Sequence, residues 1–201
     1  LINLIVLTEK RLNKFREVVS KRQKYLTLVL ENLHDPHNVS AILRTAESVG
    51  IDKVYLIYNG EEKFPRISKV SSASAKKWVE VVKYDSIKKC FVELKKQKYK
   101  IYSTHMEVNK KNLSLFDVDL TKRIALVFGN EHRGISDEAK ELSDKNFLIP
   151  MVGMVQSLNV SVSVAVCIYE AMRQRINAGM YDKSAYTSKE LKQKLTDYIN
   201  R

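Results

Sequence analysis

Ile149-Pro150-Met151-Val152-Gly153-Met154-Val155-Gln156-Ser157-Leu158-Asn159-Val160-Ser161-Val162-Ser163 joins a short apolar strand to a long apolar helix. The strand covers Asn146 to Ile149 and the helix begins near Leu158. Pro150 closes the strand, and Gly153 lets the backbone bend where a side chain would obstruct it. Ser157, Asn159 and Ser161 then alternate with apolar residues. A helix start so rich in hydrogen-bonding groups suits a polar ligand. The same residues also read as an ordinary strand–loop–helix with Ser157 as N-cap.

Outward from this stretch, strands alternate with helices. Thr8 caps a helix predicted to reach about Gln23, and Tyr25 to Glu31 (YLTLVLE) reads as a buried strand. Asp35-Pro36-His37-Asn38 opens a second helix that Gly50 ends. Strands are expected at Lys53–Tyr58, Trp78–Val82, Lys100–Thr104, Arg123–Phe128 and Phe147–Ile149. Helices are expected at Ser86–Gln97, Ser136–Leu142, Leu158–Ala178 and Ser188–Asn200, with a loop over Asn59–Ser74. This alternation predicts an α/β domain with a largely parallel sheet, whose ligands bind beyond the carboxyl ends of the strands. Asn32-Leu33-His34, Thr104-His105, Gly129-Asn130-Glu131 and Met151–Ser157 all fall at such ends.

With 201 residues, 44% of them hydrophobic, one domain with short arms is the expected organisation. Residues 1–24 form a basic helical arm, 25–178 the main domain, and 179–201 a basic helical extension. Cys90 and Cys167 sit in apolar runs without metal-like spacing, which fits a reducing cytoplasm. Leu1 to Leu7 is apolar, yet too short to span a membrane. The net charge is +12, of which residues 1–24 carry +5 and residues 173–201 carry +4. Lys10, Arg11, Lys14, Arg22 and Lys192 are among the cations, and this distribution suits a phosphate backbone held beside a separate site. It also suits helices that are merely solvated.

Several chemistries are disfavoured. No glycine-rich dinucleotide turn or Walker-type lysine loop occurs, and no nucleophile elbow. His34, His37, His105 and His132 lie on separate loops without ligand spacing, so no metal site is expected. Arg44 follows Asn38 by six residues on one predicted helix, among apolar neighbours. An arginine there either pairs with a carboxylate such as Glu131 or reaches toward a phosphate. Glu131 either faces the same cleft or caps the short helix after it.

Asn38-x5-Arg44, Gly129-Asn130-Glu131-x-x-Gly134 and Ile149-Pro150-Met151…Gln156-Ser157-Leu158-Asn159-Val160-Ser161 resemble the three motifs of the SpoU/TrmH-type methyltransferases of the SPOUT superfamily. The resemblance spans nearly the whole chain. The first arm running into Tyr25–Asn32, and Gly179-Met180-Tyr181-Asp182, are most similar to the branch that methylates guanosine 18 in the D-loop of tRNA.

The resemblance implies an α/β domain with a deep C-terminal trefoil knot, a homodimer built around that knot, and transfer of a methyl group from S-adenosylmethionine to a ribose 2′-hydroxyl. It implies cofactor contacts from Thr104, Gly129, Ile149, Met151, Ser157 and Leu158. It gives Arg44 the central catalytic role, with Asn38 orienting it, Glu131 organising the site, and Ser157 and Asn159 holding the cofactor loop. A guanidinium with a pKa above about 12 is a poor proton acceptor, so orienting a substrate phosphate is the easier chemistry for Arg44. The chain departs from the family at Ser71-Ser72-Ala73-Ser74-Ala75, where relatives usually carry glycine. Ribosomal RNA is the alternative substrate, and a non-catalytic RNA-binding module the alternative class.

Overall fold

The computed structural model describes residues 8–59, 64, 75–105 and 113–201. The apolar start at Leu1–Leu7 lies outside the described residues, as do most of the Asn59–Ser74 loop and the glycine-free stretch up to Ser74. Seven strands form one sheet: β1 (Leu26–Glu31), β2 (Lys53–Ile57), β3 (Glu80–Tyr84), β4 (Lys100–Thr104), β5 (Leu113–Ser114), β6 (Ile124–Phe128) and β7 (Lys145–Leu148). Their order is β3-β2-β1-β6-β4-β7-β5, and every pairing is parallel. A parallel sheet is covered on both faces, so its central strands read as unbroken apolar runs. All six residues of β1 and all five of β6 are buried.

Among the described residues six α-helices accompany the sheet: α1 (Glu9–Ser20), α2 (Pro36–Ser48), α3 (Ile87–Lys96), α4 (Asp137–Leu142), α5 (Val160–Asn177) and α6 (Ser188–Ile199). Their starts follow local chemistry. Thr8, Asp35, Ser86 and Ser136 are N-caps whose side chains accept backbone N–H bonds, and Pro36 opens α2 where its missing donor costs nothing. Gly50, at φ +84°, ends the α2 turn as expected.

Leu28 and Leu30 of β1 pack with Ile42, Leu43, Val164 and Ile168, so α2 and α5 share one face. Val29 and Val127 pack with Ile87, Phe91 and Ala139, so α3 and α4 cover the other. A third, smaller core joins α1 to α6 through Phe15, Val19, Tyr198, Leu191, Leu195 and Trp78.

Several boundaries move. The third strand starts at Glu80, not Trp78, because Ala75–Lys77 forms a 3-10 turn and the Trp78 ring packs on Phe15 and Tyr198. The N-cap of α5 is Asn159, not Ser157. The two-residue β5 was not anticipated, being too short to show a period.

Arg22 is a correction to the expected RNA-binding set, since it is buried. Its guanidinium donates to Tyr198 Oη (2.7 Å), to the carbonyls of Glu47 and Ile51, and to Glu47 Oε1 (2.9 Å). It therefore ties α1 and α6 to the last turn of α2. Arg175, counted above among the terminal cations, is buried too. It donates to the carbonyls of Leu120, Tyr25 and Lys122 and to Gln23 Oε1 at 2.7–3.1 Å.

Candidate active site

The carboxyl edge of the sheet gathers the first-motif helix, the turn after β6 and the start of α5. Asn38, in the first turn of α2, donates from Nδ2 to Glu131 Oε1 at 2.9 Å. Its Oδ1 accepts from Asn159 Nδ2 at 3.1 Å. Asn159 Oδ1 in turn accepts from the amide (2.8 Å) and hydroxyl (2.6 Å) of Ser161. A single hydrogen-bonded chain, Glu131–Asn38–Asn159–Ser161, thus links all three sequence motifs. Glu131 Oε2 also accepts from the His34 amide at 3.2 Å. Partial burial pushes the Glu131 carboxyl up, but the bonds from Asn38 and from backbone amides outweigh it and hold the pKa below the ordinary value.

The turn that carries Glu131 is built to one shape. A Cβ on Gly129 would sit 2.1 Å from the Gly134 carbonyl and 2.2 Å from Ile135 N, so only glycine fits there. Asn130 and Gly134 exchange backbone hydrogen bonds of 2.9 Å, with Gly134 at φ +69°. The Asn130 side chain donates to the Asn32 carbonyl at 2.7 Å and accepts from the amides of His132 and Arg133. The sequence places Asn130 and Asn32 at strand ends without giving them a role, although an asparagine directly after a buried strand and glycine is the signal for such a turn.

Arg44 is exposed on α2 and makes no hydrogen bond or ion pair with the described residues. Glu131 is engaged elsewhere, so the structural pairing of Arg44 with Glu131 does not form. Asn38 bonds Glu131 and Asn159 and makes no direct bond to Arg44. Ser157 is exposed and takes no part in the chain of bonds.

The remaining expected cofactor residues ring the same edge. Thr104 ends β4, and its hydroxyl donates to the Val127 carbonyl at 3.2 Å. Ile149, Met151 and Leu158 are half-buried, with Ile149 packed on the main core. Between Pro150 and Leu158 no backbone–backbone hydrogen bond forms with the described residues. That leaves a run of N–H and C=O groups turned to solvent or ligand, beside half-buried apolar side chains. Such a donor set fits an adenosyl group with a charged tail. Among the described residues, no group of three or more His, Cys, Asp and Glu stands together to hold a metal.

The basic residues expected to hold RNA are separate from this edge. Lys10, Arg11 and Lys14 are exposed on α1 and Lys192 on α6, with Lys14 paired to Glu17 at 3.2 Å.

A parallel α/β sheet with a polar chain at its carboxyl edge defines an α/β protein whose site lies at the strand ends. Residues 25–169 match the SpoU rRNA Methylase family, and the chain belongs to that family. It is 40% identical over 183 residues to the tRNA (guanosine(18)-2'-O)-methyltransferase of Aquifex aeolicus, covering 91% of this chain and 85% of the relative. To the protein of the same name from Thermus thermophilus it is 39% identical, covering 96% of this chain and 98% of the relative. The solved A. aeolicus TrmH/SpoU tRNA modifying enzyme superposes with a TM-score of 0.87 at 38% identity, covering 96% of each chain.

Proposed function

We propose that this chain transfers a methyl group from S-adenosylmethionine to the 2′-hydroxyl of guanosine 18 in the D-loop of tRNA. The observation that carries the reading is the Glu131–Asn38–Asn159–Ser161 chain, which ties three distant motifs to one edge beside the unpaired backbone of 150–158. The names of the relatives that match nearly the whole chain support guanosine 18 as the target.

The cofactor supplies an electrophilic methyl on a sulfonium. Gly129, Ile149, Met151, Leu158 and Thr104 would hold it at the edge, chiefly through backbone groups and apolar contact. A ribose hydroxyl is a weak nucleophile near neutral pH, so placement does much of the work. Arg44, without a carboxylate partner among the described residues, orients a substrate phosphate beside the hydroxyl. Asn38 and Glu131 fix the start of α2 against the turn and against Asn159, and so set where Arg44 can reach. The part of this chain would be to place the ribose oxygen in line with that methyl and to let the hydroxyl proton pass to water.

Further parts of the reading rest on the fold. The strand order β6-β4-β7-β5, in which later strands insert between earlier ones, supports a threaded, knotted C-terminal part. Val162, Tyr169 and Ile176 recur every seven residues along α5 at 46%, 52% and 50% exposure, next to the open Val152 and Met154. So long an apolar stripe supports a homodimer packed on α5 and its preceding loop. Residues 1–24 and 179–201 act as one RNA-holding body on the 25–178 domain. No helix among the described residues is long and apolar enough to cross a membrane, and a cytoplasmic enzyme is the reading that suits a tRNA substrate. The family description favours ribosomal RNA as the second substrate.

Calorimetry with S-adenosylmethionine, followed by methyl transfer to unmodified tRNA, tests the reading. Wild type should bind the cofactor and methylate, and Arg44→Ala should bind but lose transfer by at least about a hundredfold. No cofactor binding by wild type would overturn the enzyme reading. Unchanged transfer by Arg44→Ala would remove Arg44 from the mechanism.

A further inference from the structure

Glu31 is a carboxyl side chain that the site described so far does not use. It ends β1 at 2% exposure, the one charged residue of that strand. Side chains alternate along a strand, so Glu31 points to the same face as Val29, toward α4 and away from Asn38. Its Oε2 accepts from the Ser136 amide at 3.0 Å, whereas its Oε1 is buried and has no partner among the described residues. Burial raises its pKa, against the opposing bonds from Ser136. A buried oxygen without a partner costs stability, so packing alone does not account for a glutamate here.

Register explains what the side chain reaches. Leu30 pairs with Phe128, so Glu31 stands level with Gly129, the first residue of the Glu131 turn. The returning leg of that turn lies directly over Gly129, where Gly134 and Ile135 leave no room for a Cβ. Ser136 follows at once, as N-cap of α4. The last residue of β1 and the residue after it therefore hold opposite legs of one turn: the Asn32 carbonyl takes the Asn130 amide group, and Glu31 takes Ser136 N.

We propose that Glu31 is a positioning residue for methyl transfer, fixing the exit of the Gly129–Gly134 turn so that Glu131 stays within hydrogen-bond reach of Asn38. It touches neither substrate nor cofactor and acts through Glu131. This inference rests on the methyltransferase reading, and the test keeps the two apart: an inactive wild type defeats that reading, whereas the inference is judged on variants of an active one.

The experiment measures kcat and KM for tRNA in Glu31→Leu, Glu131→Gln, the double variant and Glu31→Gln. Glu31→Leu should lower kcat about tenfold or more with KM for tRNA little changed, since a misplacement of about 1 Å is worth that much. In the Glu131→Gln background the same substitution should cost nothing further, because residues acting as one unit are not additive. Glu31→Gln, which retains an acceptor for Ser136, should keep kcat within about twofold of wild type. Equal losses from Glu31→Leu in both backgrounds, a wild-type kcat for it, or a Glu31→Gln as impaired as Glu31→Leu would each overturn the proposal. Should Glu31→Leu fail to fold, amide exchange on wild type decides. Ser136 N–H should be protected, and exchange as fast as in an open loop would overturn the proposal.

Discussion

Asn159 does two jobs at once: its Oδ1 caps α5 through Ser161 N, and its Nδ2 reaches Asn38. Removing it therefore uncaps a helix and breaks the bond between two motifs. Asn159→Ala should cost about 1 kcal/mol of stability from the lost cap and lower methyl transfer by a much larger factor. Asn159→Ser keeps a capping oxygen but lacks the amide, so it should regain the stability and not the rate. Thermal melts and single-turnover assays on the pair separate the effects. Glu131 adds a pH dependence. Its folded pKa lies below the ordinary value, so its bonds stabilise the site above the ordinary carboxylate range, and that contribution is lost as pH falls through the depressed value. Wild type should lose transfer steeply at that acid end, and Glu131→Gln, already slow, should show no such limb. The cysteines belong to the core alone. Both are fully buried, and desolvation pushes Cys90 up to about 12 and Cys167 higher still. Native protein should resist alkylation at pH 8 until denaturant is added, as thiol titration would record.

At the scale of elements, local chemistry was legible in the sequence and long-range partnership was not. The cap at Thr8, the helix starts at Asp35, Ser86 and Ser136 and the buried run of β1 are set by neighbours within a few residues, so they read directly. Asn159 displaced Ser157 as cap because the helix start is fixed by the bond to Asn38, which lies 121 residues away. Arg22 looked like one more arm cation, since nothing near it in sequence announces Glu47, Ile51 and Tyr198. Glu31 left a trace, a lone charge closing an apolar strand, but its partner is 105 residues on. The three motifs were readable as patterns, and the bonds that join them were not. Arg175 shows what such hidden partners are worth. Burial pulls its guanidinium down to about 10, still charged at neutral pH, and four neutral acceptors from two distant segments converge on it. Arg175→Met should leave those acceptors unpaired at a cost of about 1–3 kcal/mol for each that stays unsatisfied, seen as a melting point lower by roughly 10 °C.

Across the whole molecule, the exposed cations of α1 and α6 sit on a body that Arg22 bolts to the end of α2, and Arg44 lies on that same helix. The arrangement separates holding RNA from fixing the holder. Lys10→Ala, Arg11→Ala or Lys192→Ala should each weaken tRNA binding and reduce the slope of log K against log salt by about one. Arg22→Met should leave the slope alone while lowering stability by about 3–5 kcal/mol, since its charge is buried against Glu47. Trp78, stacked with Phe15 and Tyr198, is the only tryptophan, so its fluorescence reports whether α1 and α6 stay docked. Labelled S-adenosylmethionine, given to the protein with unmodified tRNA and with ribosomal RNA, lets the methylated nucleotide be mapped. One 2′-O-methyl group should appear, at guanosine 18 of the tRNA. A methyl at another nucleotide, a product on ribosomal RNA alone, or no transfer would contradict it.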